Sequence, residues 1–198
     1  MKRSLITVIV AAIIAALAAI AVSAAAPTPR IPAKPTQSAD RRLGSRFSVL
    51  AGSSSGAALP AGTATHLTAP GTLVSEFALE PTSAVAVEIN DTQAWVIPGR
   101  RGICLAVSGV LLTTEVCGPL ANADAGCLVM VLRPSSGPVI YGLVPDGASV
   151  TVTDTDGSSS GVPVTNNVFV RADPTAQSVS VKPIGGPAMT TVIRAAAS

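Results

Sequence analysis

Charged and aromatic residues are scarce in this sequence. Only 12% of its 198 residues are charged and 3% are aromatic, although 48% are hydrophobic. Because average domains carry about 25% charged residues, the surface must consist largely of Ser, Thr, Gly and peptide groups, and any core must be aliphatic. Lysine occurs only at Lys2, Lys34 and Lys182, a scarcity that is more typical of proteins outside cells than of cytosolic proteins.

The sequence has a single histidine, His66, which argues against two kinds of catalytic site. A zinc site would need further ligands at a suitable spacing, and His66 lies 38 residues before the first cysteine. The Gly-x-Ser-x-Gly pattern of hydrolases occurs at Gly52–Gly56 and Gly157–Gly161. It requires a strand, a sharp turn and a helix, with the histidine late in the chain, whereas both copies lie in Gly/Ser-rich loops. We therefore predict no catalytic residue, no metal site and no cofactor.

Positive charge is concentrated at the start of the chain. Residues 2–46 hold seven basic residues against one acidic residue, which is +6, and the rest holds six against ten, which is −4. A nucleic-acid-binding domain would carry its positive charge on the folded part. The pattern instead indicates a solvated basic segment near a membrane surface and no nucleic-acid partner.

The amino terminus predicts export. Lys2 and Arg3 precede an apolar stretch from Leu5 to Val22 whose only polar residue is Thr7. Small residues at its end fit cleavage by signal peptidase, and an apolar stretch that continues to Ala26 is also long enough for a retained anchor. Residues 1–26 are therefore a signal peptide or a membrane anchor, and the membrane is a partner if this helix is uncleaved.

The next segments predict a linker and a few helical turns. Residues 27–46 are rich in proline and basic residues, a composition typical of an extended, solvated linker. Leu43, Phe47 and Leu50 recur at the spacing of one helix face, which predicts a short helix near residues 39–51. Further short turns are predicted near Leu73 and Phe77 and from Pro81, a residue suited to a first helical position.

From Gln93 onward, strand signals recur every 8 to 12 residues, the spacing typical of a sandwich or barrel. Val150–Thr153 alternates apolar and polar residues, Asp156-Gly157 marks a reversal, and Val144-Pro-Asp-Gly147 reads as a β-turn. The predicted strands are Ala94–Ile97, Ile103–Val107, Cys127–Leu132, Val139–Val144, Val150–Thr153, Val162–Thr165, Val168–Arg171 and Ser178–Pro183. The sequence thus predicts a mostly β protein, a small antiparallel β-sandwich or barrel-like domain over residues 47–185, with a flexible tail over 186–198.

The three cysteines leave their pairing open. Cys104 and Cys117 lie at the ends of a predicted hairpin, and a disulfide between them would add about 3 kcal/mol of stability. We predict this pair, while pairing of either residue with Cys127 remains an alternative because the count is odd. Cys127 begins an apolar strand and is predicted to be a buried, inert thiol.

Other polar residues are interpreted as structural. Asp154-Thr-Asp156-Gly157 is half of a calcium loop without the glutamate of the full loop, so we interpret it as a hairpin tip. Asp146, Asn166 and Asn167 are predicted to bond nearby peptide groups. Trp95, beside Val96 and Ile97, is predicted to be a core residue.

Several short motifs follow one another in a recognisable order. They are Arg46-Phe-Ser-Val-Leu50, Ala58-Leu-Pro60, Trp95-Val-Ile-Pro-Gly99, Ile103-Cys-Leu105, Cys117-Gly118, Tyr141-Gly-Leu-Val-Pro-Asp-Gly147 and Asn167-Val-Phe169. Over residues 46–184, the chain resembles a large set of uncharacterised exported or membrane-tethered actinobacterial proteins with the pattern WVVPG…ICL…CG…GLVPDG…DNVY. The resemblance implies an extracytoplasmic domain and no assigned activity. Cys127 departs from this pattern, which has a glycine or another small residue there.

These observations predict a domain at the cell surface, or anchored to the membrane, that acts by binding or as a cell-envelope component without catalysis. Its partner would be an unknown envelope protein or ligand. The alternative is an extracytoplasmic hydrolase with an unrecognised site, for which His66 is the discriminating residue.

Overall fold

The computed structural model describes residues 43–51, 58–68, 73–108, 113–126, 128–134 and 137–193, all within one compact unit, Thr36–Ser198. The predicted signal peptide or anchor, most of the linker, Cys127 and the serine of the first Gly-x-Ser-x-Gly copy lie outside the described residues. In the part of the chain that is described, no helix is long and apolar enough to cross a membrane.

The described elements are mostly strands, joined by a few short helices. The strands are β1 (Val85–Ile89), β2 (Thr92–Pro98), β3 (Gly102–Ser108), β4 (Thr113–Pro119), β5 (Leu128–Leu132), β6 (Val139–Leu143), β7 (Ser149–Asp154), β8 (Ser159–Val162), β9 (Val168–Ala172), β10 (Ala176–Lys182) and β11 (Met189–Val192). The helices are α1 (Ala61–Thr68), α2 (Leu73–Phe77) and α3 (Leu120–Asp124), and 3₁₀ turns span Ser48–Leu50 and Pro81–Ser83.

The strands form three antiparallel sheets. The front sheet has the order β1-β2-β3-β4, the central sheet has the order β5-β6-β9, and the rear sheet has the order β11-β10-β7-β8. Every pairing within these sheets is antiparallel. The prediction of a mostly β protein with antiparallel sheets is therefore confirmed.

Both faces of the central sheet are buried. Successive side chains of a strand point to opposite faces, and along β6 Tyr141 and Leu143 pack with front-sheet residues while Ile140 packs with rear-sheet residues. On β9, Val168 packs with front-sheet residues and Phe169 packs with rear-sheet residues. The central sheet therefore separates two clusters, which we call the first core cluster (towards the front sheet) and the second core cluster (towards the rear sheet).

The other face of the front sheet is covered by the helical segment that precedes it. Trp95, Ile97 and Cys104 pack there against Leu67 of α1 and Phe77 of α2. Trp95 is 1% exposed, so its predicted place in the core is confirmed. This third core cluster explains why β2 is apolar from Ala94 to Ile97 and β3 from Ile103 to Val107, since both faces of the front sheet are covered there.

Two hairpins turn on pairs of residues with positive φ. Asn90 and Asp91, with φ of 47° and 58°, connect β1 to β2, and Asn166 and Asn167, with φ of 48° and 66°, lead into β9. Asn and Asp tolerate this left-handed conformation better than other residues with side chains, and paired left-handed residues match the twist of a two-residue hairpin.

Several predicted boundaries are corrected by the structure. β1 and β4 were not predicted as strands, because the Asn-Asp turn was not recognised as a hairpin signal and the Thr, Gly and Pro of β4 weaken its pattern. The return strand β8 is Ser159–Val162 rather than Val162–Thr165. Its residues are mostly small and polar, yet the turn at Asp156-Gly157 fixes their pairing with β7.

The predicted flexible tail contains a strand. β11 pairs with β10, and beyond it the buried Ile193 donates its backbone N–H to Gln177 O at 2.8 Å. The residues of β11 are exposed, so they lack the apolar alternation from which a strand is predicted. The folded part therefore continues past residue 185.

The absence of a side chain at Gly142 leaves room for the ring of Phe169 on the neighbouring strand. The two residues are directly opposite in the β6–β9 register, and a Cβ on Gly142 would collide with the Phe169 ring. We expect Gly142→Ala to lower the free energy of unfolding by about 1–3 kcal/mol, as for an overpacked core, measured by chemical denaturation. Gly161→Ala is the matched control, because its Cβ would meet no atom within 4 Å. Equal losses in both variants would contradict this interpretation.

Candidate functional site

The Asp146 carboxylate joins distant parts of the chain. Oδ1 and Oδ2 accept hydrogen bonds from the Ser48 backbone N–H at 3.1 and 3.0 Å, and Oδ1 accepts one from the Ser48 hydroxyl at 2.7 Å. Asn167 Nδ2 donates to the same Oδ1 at 2.8 Å. Ser48 lies 98 residues before Asp146 in the sequence. We call these three residues the Asp146 clamp.

Asn167 is the buried member of the clamp. It is 5% exposed, and Nδ2 also donates to Val144 O at 3.0 Å while Oδ1 accepts from the Val49 backbone N–H at 3.0 Å. The Ser48 hydroxyl is a further donor to Oδ1 at 3.3 Å. Both polar ends of the amide are thus satisfied, as burial requires.

The clamp attaches the segment that follows the linker. Asp146 N–H donates to Arg46 O at 2.8 Å, and Phe47, between Arg46 and Ser48, is fully buried in the first core cluster with Leu43. The predicted helical spacing of Leu43, Phe47 and Leu50 therefore does identify a segment with one buried face. We call residues 43–51 the strap.

The prediction of purely local roles for these polar residues is wrong for Asp146 and for Asn167, whose Oδ1 accepts from Val49 N–H, 118 residues away. The Asp146 side chain bonds a segment distant in sequence, because the Pro-Asp-Gly turn presents the carboxylate to the strap. Asp156 does have a local role, since Ser158 N–H donates to its Oδ1 at 2.8 Å. Three segments that are distant in sequence, residues 46–50, 141–147 and 167–169, thus meet at the clamp.

The hydrogen bonds of the clamp favour the ionised carboxylate. Partial burial acts to raise the pKa of Asp146, but the hydrogen bonds from Ser48 and Asn167 outweigh it and hold the pKa below its ordinary value. A carboxyl whose folded-state pKa is depressed stabilises the fold above its unfolded pKa, and this contribution is lost as the pH falls through the folded pKa.

Cys104 and Cys117 are joined by a disulfide, the pairing predicted from the sequence. They are directly opposite one another in the β3–β4 register, with 4.1 Å between their Cα atoms. Cys104 is fully buried in the third core cluster. For a sequence separation of 13 residues, loop closure predicts a stabilisation of about 3 kcal/mol.

His66 forms a pair that the sequence did not indicate. Its Nδ1 lies 3.0 Å from Glu115 Oε1, with side-chain exposures of 68% and 14%. The pair lines a groove of about 620 Å³ between α1 and β4, with Pro60, Gly62, Thr63, Thr113 and Thr114. Glu115 was missed because α1 and β4 are distant in sequence, and only the fold places them together.

A second groove lies where the front and central sheets end. It has a volume of about 680 Å³ and is lined by Asp91, Thr92, Gln93, Ser108, Leu132, Arg133, Pro134, Val139 and Tyr141. We call it the Tyr141 groove. Its lining comes from the ends of β3 and β5 and the beginnings of β2 and β6, so it forms the mouth of the first core cluster.

The second Gly-x-Ser-x-Gly copy, Gly157–Gly161, lies in a hairpin. Ser159 lies in β8 with its Oγ 3.0 Å from Thr153 Oγ1, so it is not on a strand-to-helix turn. Among the described residues, no group of three or more His, Cys, Asp and Glu side chains is placed to hold a metal ion.

Comparison with known protein families, with curated proteins and with solved structures found no match to this chain.

The clamp predicts a measurable dependence of stability on pH. We expect Asp146→Asn to lower the free energy of unfolding by about 1 kcal/mol at pH 7, a modest value because the carboxylate is exposed. The difference from the unmodified protein should shrink as the pH falls through the folded-state pKa of Asp146, which lies below its ordinary value. Urea titrations between pH 7 and pH 3 measure it, and Asp156→Asn serves as the control with a purely local hydrogen bond. A difference that is constant with pH would rule out the ionised clamp.

Proposed function

We propose that this chain is an exported or membrane-tethered β domain that acts by binding, as a non-catalytic component of the cell envelope. The observation that carries the proposal is the disulfide between Cys104, which is buried in the third core cluster, and the half-buried Cys117 that packs against this cluster. Structural disulfides form and persist in oxidising compartments and are rare in the cytosol. The scarcity of lysine and of charge supports the same location.

The Asp146 clamp supports a tethered role. The strap, which begins within the predicted linker, is the first described part of the chain, and it is held by Phe47 in the core, by the buried Asn167 and by Asp146 at the surface. A pull transmitted through the linker would therefore act on an attached segment rather than on the edge of a sheet. This attachment suits a domain that is displayed on a stem.

The finer fold that we propose is barrel-like. The front and central sheets line the first core cluster together, and β4 lies beside β5 while β1 lies beside β9. The seven strands thus run around one apolar interior, with the rear sheet packed outside on the central sheet. The ends of such an arrangement are where β-barrels commonly bind ligands.

Localisation and thiol state test the proposal together. The full chain is expressed in a host that exports proteins, cell fractions are separated, and intact mass is measured after thiol alkylation with and without prior reduction. We expect the protein outside the cytoplasm with one alkylated thiol before reduction and three after it. Recovery in the cytoplasm with three free thiols would overturn the proposal.

Cys127→Ser is the matched control for this experiment. If Cys104 and Cys117 form the disulfide, this variant has no thiol to alkylate before reduction and two after it. A thiol that appears before reduction in Cys127→Ser would show that Cys127 takes part in the pairing.

The second candidate function is an extracytoplasmic hydrolase, which the His66–Glu115 pair favours. A carboxylate bonded to Nδ1 holds an imidazole in the tautomer that leaves Nε2 as a base. Here the Nδ1–Oε1 distance is 3.0 Å, and threonine side chains line the same groove.

This candidate predicts that hydrolysis of a panel of chromogenic esters depends on His66. Loss of a general base lowers rates by about 10²–10⁴-fold, so His66→Ala should abolish a measured activity and Glu115→Gln should weaken it. Ester hydrolysis that survives in His66→Ala would remove the candidate.

A further inference from the structure

We propose that the Tyr141 groove binds a small monocarboxylic acid with an apolar body. This proposal rests on the proposed binding function and gives it a site and a class of ligand. Three features of the groove carry it: a tyrosine hydroxyl that opens into it and has no partner among the described residues, an apolar floor, and a rim arginine that forms no salt bridge with any described residue.

The hydroxyl of Tyr141 has no hydrogen-bond partner among the described residues. Tyr141 is 8% exposed, and its ring packs in the first core cluster. Within the described residues its hydroxyl forms no hydrogen bond, and the oxygen is not among the fully buried polar atoms that lack a partner, so it is open to water or to a ligand. Because the side chain lines the groove, the partner must come from the groove itself, as water or as a ligand.

The floor of the groove is apolar. Leu132 and Val139 are half-buried and line it beside Tyr141, and all three side chains belong to the face of the central sheet that meets the first core cluster. The volume of about 680 Å³ lies within the range of small-molecule sites. A short hydrocarbon chain or ring placed here would remove these side chains from water.

Arg133 supplies the charge that a carboxylate requires. It follows Leu132 at the end of β5, its side chain is exposed at the rim, and the described residues provide no salt bridge for it. A guanidinium binds a carboxylate through two parallel hydrogen bonds. A phenol hydroxyl is a further donor, so Arg133 and Tyr141 offer complementary donors to one anionic head group.

Asp91 limits the charge of the ligand. It lies on the same rim and forms no salt bridge with Arg133. Its negative charge would repel an anion, and a dianion more than a monoanion. The groove therefore favours a carboxylate over a phosphate monoester, which carries more negative charge at neutral pH.

The test is a titration of the purified, ¹⁵N-labelled protein with octanoate, followed by NMR shift changes. We expect saturable binding with a dissociation constant of about 1 mM or lower, given the small size of the probe. Tyr141→Phe keeps the ring and removes only the hydroxyl, and Arg133→Gln removes only the charge. Each should weaken octanoate binding about tenfold, the effect of one hydrogen bond to a charged group.

Arg100→Gln is the matched control. Arg100 is an exposed arginine outside the groove, in the loop between β2 and β3, so its loss should change the affinity less than twofold. Thermal melting of each variant verifies folding. Octanol and octyl phosphate, which present the same chain with a neutral or more highly charged head, should both bind more weakly than octanoate.

Three results would overturn the proposal. They are the absence of saturable octanoate binding, affinities in Tyr141→Phe and Arg133→Gln equal to that of the unmodified protein, and tighter binding of octyl phosphate than of octanoate. The titration uses purified protein, so it fails independently of the localisation experiment. If the protein is exported but does not bind octanoate, the proposed ligand is refuted and the proposed function is not.

Discussion

The structure depends on the burial of both faces of the central sheet. Each residue of β6 contributes to one of two cores, and the absence of a side chain at Gly142 provides the space for Phe169 between the central and rear sheets. Aliphatic burial of this kind is non-directional and supplies most of the driving force for folding. It also explains how a sequence with few charges and aromatic residues specifies one arrangement, since the alternation of side chains along β5, β6 and β9 decides which sheet each face meets.

Polar contacts then hold the strap, whose position the non-directional apolar contacts do not fix by themselves. The Asp146 clamp joins three segments that are distant in sequence, residues 46–50, 141–147 and 167–169, and it holds the strap in place. The short motifs in these segments therefore reflect how the domain is assembled. The residues that suit binding lie elsewhere, at the mouth of the first core cluster, where the ends of several strands converge.

The sequence was informative where the signal was local. Alternation and turn residues located β2, β3, β7, β9 and β10, and the spacing of Leu43, Phe47 and Leu50 identified the strap. Features that depend on residues distant in sequence could not be predicted from local patterns. The polar β8 and exposed β11 are strands because β7 and β10 present paired backbone groups, and Glu115 meets His66 only through the fold. The role of Asp146 was missed for the same reason, because no pattern near residue 146 points to residue 48.

The sequence separations within the clamp have a consequence for the order of assembly. The disulfide joins residues 13 apart, whereas Asn167 bonds Val49 across 118 residues. A chain is made from its amino terminus, and contacts between distant residues form only after the loop between them is closed. Phe47 and its neighbours thus emerge well before Asn167, and the hydrogen bonds that hold the strap to Asn167 form only after synthesis has passed that residue.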